Sequence, residues 1–223
     1  MNYYKDNRYV SNSALSRIER ALIGAPDIKG GFLQFGSLVD ALITEPELVD
    51  FDNKTITDSA GDVFAFTQAD WAKAEQMRQA AYQHPFLKLM VQSMEFQCEK
   101  YIDNFLVDSS IASFYLPVKC KYDGVNWAAK FGMDLKTTSC TNMESFKKSI
   151  ELFSYDRQAA WYMDLGGLNR FVFAGISKIK NKLGEHEIFI HAVERGDAMY
   201  KAGLAKYQRL ALLYDMLIFK TAV

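Results

Sequence analysis

The stretch Lys130-Phe131-Gly132-Met133-Asp134-Leu135-Lys136 constrains this chain more than any other, because apolar and polar residues alternate along it. A period of two is the mark of a β-strand with one buried face. Phe131, Met133 and Leu135 fall on that face. Asp134 and Lys136 leave the other, roughly 7 Å apart at a rise of about 3.3 Å per residue. A carboxylate and an ammonium therefore share one small patch above a sheet.

The Asp-x-Lys spacing has little meaning by itself, since Asp27-Ile28-Lys29 and Asp52-Asn53-Lys54 repeat it. Both copies lie among Gly, Pro, Asn and Asp, which reads as loop. Only the third copy follows another strand that ends in an acid and precedes a helix carrying Gln and Tyr one turn apart. The competing reading, a solvated salt bridge on a strand face, is the usual fate of an isolated Asp-x-Lys.

The surroundings predict an α/β order. Ser11-Asn12-Ser13 before Leu15, Ile18, Ala21 and Leu22 predicts a helix capped by Ser11. Helices follow over Phe32–Ile43, ended by Thr44-Glu45-Pro46, and over Thr67–His84, with a surface excursion between them. The middle turns to strands over Glu95–Val107, Phe114–Tyr122 and Lys130–Lys136, an antiparallel meander. Helical pattern then runs from Met143 to Leu165 with a break near Ser154. Strands return over Arg170–Ser177 and Glu187–Val193, and Asp197–Phe219 forms a last helix with Met199, Gly203, Tyr207, Leu210, Tyr214 and Leu217 along one face. A strand that follows helices can return beside the third strand by a crossover, which makes the acidic strand central in a mixed sheet flanked by helices.

Length and composition fit one domain over 1–223: a mainly helical part over 1–92, a core over 93–195 and a C-terminal helix over 196–223. The 223 residues are 49% hydrophobic with only four prolines, and no linker-like stretch divides them. The first residues lack the basic-then-apolar pattern of a signal peptide, and no apolar run approaches the ~20 residues of a membrane span. The expectation is a soluble, cytoplasmic protein with no membrane partner. Cys98, Cys120 and Cys140 are an odd number without a Cys-x-x-Cys pair, so reduced thiols are expected. A net charge of −1 excludes a protein that coats nucleic acid through bulk positive charge, but leaves room for a local basic groove.

On the second strand Lys119, Lys121 and Asp123 share a face opposite Val118, Cys120 and Tyr122. With Asp123 beside Asp134 across the meander, two carboxylates and Lys136 converge. Such an oxygen-rich set suits Mg²⁺, which can acidify a bound water and neutralise a phosphate while Lys136 positions the attacking hydroxide or shields developing charge. In Tyr155-Asp156-Arg157-Gln158-Ala159-Ala160-Trp161-Tyr162, Gln158 and Tyr162 lie at i and i+4 on one helical face and can both aim at a phosphate. His84, His186 and His191 form no metal pair, and Trp71, Trp127 and Trp161 read as packing residues.

Taken together, Lys119-Cys120-Lys121-Tyr122-Asp123, Met133-Asp134-Leu135-Lys136-Thr137-Thr138 and Gln158-Ala159-Ala160-Trp161-Tyr162 resemble the three motifs of the PD-(D/E)xK nucleases. The nearest branch is the phage-type recombination exonucleases related to exodeoxyribonuclease VIII. Ser11-Asn12-Ser13-Ala14-Leu15 and Phe35-Gly36-Ser37-Leu38-Val39-Asp40-Ala41-Leu42 with Glu45-Pro46-Glu47 match that branch in order, so the likeness spans most of residues 8 to 178.

The resemblance implies a restriction-endonuclease-like fold and a DNA exonuclease dependent on Mg²⁺ or Mn²⁺. It implies metal binding by Asp123, Asp134 and the backbone carbonyl of Leu135, with Lys136 catalytic and Gln158 organising phosphate and lysine. Asp40 stands where the branch usually has histidine and is expected as a further oxygen ligand. DNA contacts are expected from Tyr162, Lys121 and Arg8, with Arg17 a second candidate beside Arg8 for a 5′-phosphate, and Glu99 or Glu95 as an outer ligand. The resemblance also implies 5′→3′ polarity on linear duplex ends, a ring-like homo-oligomer and a single-strand annealing protein as partner, in a bacterium or a phage-infected cell. A structure-selective endonuclease and a catalytically silent DNA-binding protein of the same fold are the rival readings.

Overall fold

The computed structural model describes residues 3–4, 6–25, 31–58 and 61–219, without the side chains of 31–33 and 219. The first Asp-x-Lys copy, 27–29, lies outside the described residues; the second, 52–54, sits in a turn.

Local signals set most element ends. Ser11 caps α1 (Asn12–Leu22), its hydroxyl accepting from Ala14 N. Next comes α2 (Gly31–Thr44), and after it α3 (Gln68–Gln83), capped by Thr67. A fourth helix, α4 (Pro85–Ser93), follows directly, with Pro85 in its first turn and the His84 ring accepting from Leu87 N. The excursion between α2 and α3 folds as a short 3₁₀ turn (Pro46–Leu48) and a small antiparallel sheet of β1 (Val49–Asp50), β2 (Thr55–Thr57) and β3 (Val63–Ala65). Strands of two or three residues are too short to carry a readable alternation.

The main sheet runs β4 (Glu95–Asp108), β5 (Ser113–Asn126), β6 (Phe131–Thr138), β7 (Arg170–Lys180) and β8 (His186–Glu194), in that spatial order. Pairs β4–β5, β5–β6 and β7–β8 are antiparallel, whereas β6–β7 is parallel, so β6 is the central strand of a mixed sheet as its sequence predicts. The crossover between β6 and β7 is α5 (Met143–Leu152) and α6 (Tyr155–Gly166). They break at Ser154, which takes a left-handed φ of 53°.

Each face of the sheet carries its own core. Val118, Cys120, Tyr122, Phe171 and Phe173 pack against α1, α5, α6 and α7 (Ala198–Tyr214). Met133, Ala174 and Ile176, with partly buried Phe131 and Leu135, pack against α2, α3 and α4. The apolar face of β6 thus meets one helical layer, and Asp134 and Lys136 meet the other. A Cβ at Gly203 of α7 would stand 2.0 Å from the Asp156 carbonyl oxygen, so only glycine lets α7 lie this close to α6. The last helix departs from expectation at its end: five residues from Asp215 to Phe219 form a π turn. The wider turn shifts the phase and leaves Leu217 57% exposed instead of on the packed face. No helix of the described residues is long and apolar enough to cross a membrane.

Candidate active site

The site is made by a fork in the sheet. β5 and β6 pair only through Asn126–Phe131, Val125–Gly132 and Gly124–Met133. The ladder ends there, and the next residues on the two strands are Asp123 and Asp134. Instead of a strand-to-strand ladder, Asp123 Oδ2 accepts the Leu135 backbone N–H at 2.8 Å. The acid on the second strand and the acid on the third are therefore brought together, as their positions in the meander predict, along with the Leu135 peptide unit.

Asp134 is buried, and both of its oxygens meet side chains. Oδ1 accepts from Gln158 Nε2 at 2.5 Å, and Oδ2 is 2.6 Å from the Lys136 ammonium. Burial alone would depress the Lys136 ammonium, but Asp134, Tyr155 and Asp123 around it hold it above the usual lysine range. Its Nζ also lies 4.8 Å from the centre of the Tyr155 ring. The Asp123 carboxyl is pushed well above its ordinary range by burial, then by Asp134 and Asp40, against the pull of Lys136 and the Leu135 N–H.

Asp40 joins them from α2. Burial, Asp134 and Glu45 raise its carboxyl to about 7, opposed by Thr44 and Gln97. Thr44 Oγ1 donates to the Asp40 carbonyl at 3.0 Å, and Gln97 Nε2 lies 3.3 Å from Asp40 Oδ2 and 2.9 Å from Thr44 Oγ1. Gln97 stands in β4 between the paired residues Phe96 and Cys98 with a φ of 53°, a left-handed conformation rare for a residue with a side chain. Backbone of this kind persists where the surroundings hold it, and functional sites are common places for it. Gln97 is a site residue that the strand pattern hides.

A cleft of about 720 Å³ opens above the fork, lined in part by Asp40, Asp123, Lys136, Gln158, Tyr162 and Lys121. Tyr162 receives the Tyr122 hydroxyl on its backbone carbonyl at 2.8 Å and keeps its phenol in the cleft wall, where burial raises it well above its ordinary pKa. Lys121 lies 3.8 Å from Glu45 and 5.7 Å from the Tyr4 ring. Arg8 is not in the cleft wall: it is exposed and its guanidinium grips Asp6 at 2.9 Å. Arg17 is exposed on α1, while Arg20, one turn further on, does line the cleft. Glu99 and Glu95 are exposed and take Tyr101 and Trp127 as partners instead of facing the fork.

The α6 side of the cleft is fixed by Arg157, next to Gln158. This guanidinium is almost fully buried and reaches α1, donating from Nε to Asn12 Oδ1 at 3.0 Å, from Nη1 to Glu19 at 2.5 Å and from Nη2 to the Ser16 hydroxyl. Charged residues usually stay at the surface unless paired, so its burial had no signal in the pattern of α6.

Among the described residues, no three His, Cys, Asp or Glu side chains already stand close enough together to hold a metal ion. A hard divalent cation does not need three: it takes one or two carboxylates, a carbonyl oxygen and several waters. The donor chemistry at the fork fits that demand, because Asp40 and Asp123 are each raised by the neighbouring acids, with Lys136 the cation that offsets Asp123. His186 and His191 are spent on Ser177 O and Met199 Sδ. Cys98, Cys120 and Cys140 are free thiols.

No family model matches the chain, and no curated protein does. Solved structures do. A Eubacterium rectale protein described as a candidate exonuclease superposes with a TM-score of 0.63 at 18% identity, covering 96% of this chain and 84% of that one. A phage-related exonuclease from Haemophilus somnus 129PT gives 0.41 at 12% identity, over 94% and 84%. An alkaline exonuclease from Laribacter hongkongensis gives 0.37 at 16%, over 96% and 93%. With the five-stranded mixed sheet between two helical layers and the likeness at 0.63, the chain has the restriction-endonuclease-like fold.

Proposed function

We propose that this chain is a metal-dependent deoxyribonuclease that shortens linear duplex DNA from its ends, 5′→3′, in phage-type recombination or repair. The observation that carries the reading is the fork at which Asp123, Asp134, Lys136 and Gln158 meet at the floor of an open cleft. An incidental surface salt bridge does not require a buried acid, a second acid half-buried beside it, a buried glutamine and a break in the ladder.

Asp123, Asp134 and the Leu135 carbonyl, with Asp40, would hold a Mg²⁺ or Mn²⁺ that supplies Lewis-acid stabilisation and a water of lowered pKa. The chain's own groups do the rest. Lys136 is held as an ammonium and can neutralise a phosphate oxygen as charge builds there. Gln158 fixes the rotamer of Asp134 through its amide, and Tyr162 one turn on lines the wall a strand would follow. The tripled acids explain why a cation must come first: without one, the cleft would repel a phosphate backbone.

With a net charge of −1, the chain has little long-range pull on DNA, so retention falls to a local groove or to encirclement by a homo-oligomer. A single-strand annealing protein is the fitting partner for the strand such an enzyme exposes, and the cytoplasm of a bacterium or phage-infected cell is the fitting setting. The test is to incubate end-labelled linear duplex and supercoiled plasmid together with Mg²⁺. Progressive shortening of the linear molecule with the circle untouched is expected. Rapid nicking of the circle would favour a structure-selective endonuclease, and no hydrolysis with Mg²⁺ or Mn²⁺ a silent binder.

A further inference from the structure

Lys136 lies on the wall between two hollows of opposite character. The cleft on one side includes Asp40, Glu45, Asp58 and Asp123 in its lining. The other, about 440 Å³, has no Asp or Glu at all; Lys136, Thr138, Ser139, Phe153, Tyr155 and Lys178 are among its walls. With no cation bound, an anion meets carboxylates in the first and none in the second. Its volume is within the range of sites that take one small ligand.

The aromatic wall is exposed and yet firmly backed. Phe153 is 55% exposed at the corner between α5 and α6. Its ring leans on Tyr155 at 5.7 Å, and Tyr155 stacks on buried Phe173 at 5.3 Å and 21°. The left-handed Ser154 makes the corner that turns Phe153 outward. Lys178, in the same lining, pairs with no acid among the described residues. The Ser177 hydroxyl ties β7 to the Cys140 carbonyl at 2.8 Å, holding the Thr138–Thr141 segment beside Lys178. An exposed ring, hydroxyls and an uncompensated ammonium are the parts with which proteins hold unpaired nucleotides.

We propose that this hollow is a nucleotide subsite, taking an unpaired nucleotide next to the scissile phosphate with its base on Phe153 and its phosphate on Lys178. The assignment rests on the nuclease reading of the neighbouring cleft. Occupation on the acid-free side would bring the next phosphate to Lys136 from the direction in which no carboxylate opposes it.

The experiment measures steady-state kcat and KM on linear duplex with Mg²⁺, and anisotropy of a fluorescein-labelled single-stranded oligodeoxynucleotide with EDTA. Phe153→Ala should weaken oligonucleotide binding and raise KM by about five-fold, the low end of what base–aromatic stacking supplies, while kcat changes far less. Phe153→Trp should restore both. Lys178→Gln should weaken both and flatten the salt dependence, whereas Lys180→Gln, on the same strand but outside the hollow, should do neither. Wild-type KM and affinity in Phe153→Ala and Lys178→Gln, with nuclease activity present, would overturn the subsite and leave the nuclease reading standing. Phe153-dependent binding without any hydrolysis would keep the subsite and remove the nuclease. Absence of both binding and hydrolysis in the wild type would overturn the two together.

Discussion

Two acidic sites reached by α6 are handled in opposite ways. Asp164, at the end of α6, receives Arg195 at 2.7 Å and the hydroxyls of Tyr200 and Tyr207 at 2.6 and 2.5 Å. Every donor comes from α7 or the turn before it, so the cluster seals one element to another. At the fork, three carboxylates stand near one another with the Lys136 ammonium against Asp134, and Asp40 and Asp123 are pushed up in pKa by burial and mutual repulsion. A carboxylate with its donors supplied is a structural part; carboxylates left short of positive charge have the chemistry that the proposed divalent cation would require.

The contrast is tested most severely by removing charge from each place. Asp134→Asn or Lys136→Ala should reduce hydrolysis with Mg²⁺ by about a thousand-fold or more, equal to ~4 kcal/mol or more of transition-state stabilisation. Thermal unfolding of the metal-free Asp134→Asn protein should stay within a few degrees of wild type, because the lost partner of Lys136 is offset by relief of repulsion on Asp123. Wild-type cleavage by either variant would remove these residues from the chemistry. A large fall in melting temperature would instead make the fork a structural salt bridge.

At the other place the signs reverse. Asp164→Ala strands two phenol hydroxyls that are largely withdrawn from water and removes one partner of the exposed Arg195 guanidinium, and such losses cost about 2–4 kcal/mol. For a domain of this size that is a fall of several degrees, measured by calorimetry or denaturant titration. Residual activity per folded molecule should be unchanged. A variant that keeps its stability and loses turnover would mean that Asp164 belongs to the site after all.

How far sequence could see into each region follows from the length of the pattern involved. The alternation from Phe131 to Leu135, the acid on the second strand and the i,i+4 pair Gln158 and Tyr162 are all local, and together they place the central strand and its three polar partners, although the second strand runs three residues past Asp123 to Asn126 instead of ending at it. Caps at Ser11 and Thr67 and the break at Ser154 are local too. Gln97 was invisible because its role comes from a reversed φ inside an otherwise ordinary strand. Arg157 was invisible because its partners are 138 to 145 residues away. The resemblance points to Arg8 as a basic residue near the N-terminus, yet Asp6, two residues before it, takes its guanidinium. For α4 a signal was there, His84 before Pro85, and it was simply short of periodic residues to extend it.

The smallest effect, and the finest test of the contrast, concerns Asp40. Its folded-state carboxyl is raised to about 7 from an ordinary 3.8, by burial first and then by Asp134 and Glu45. A folded pKa above the unfolded one means that the folded protein binds the proton more tightly. The associated stability is therefore complete below about pH 4 and is lost as pH climbs through 7. In the metal-free protein the melting temperature should therefore fall as pH rises over that span. Asp40→Asn should flatten the slope, and Mg²⁺ should restore stability chiefly at and above pH 7, where the carboxylate it would bind is charged. Asp40→His should retain most activity, and Asp40→Ala should shift the Mn²⁺ requirement upward. A pH slope identical in wild type and Asp40→Asn, with identical Mn²⁺ midpoints in all variants, would detach Asp40 from the fork and leave Asp123 and Asp134 as its only acids.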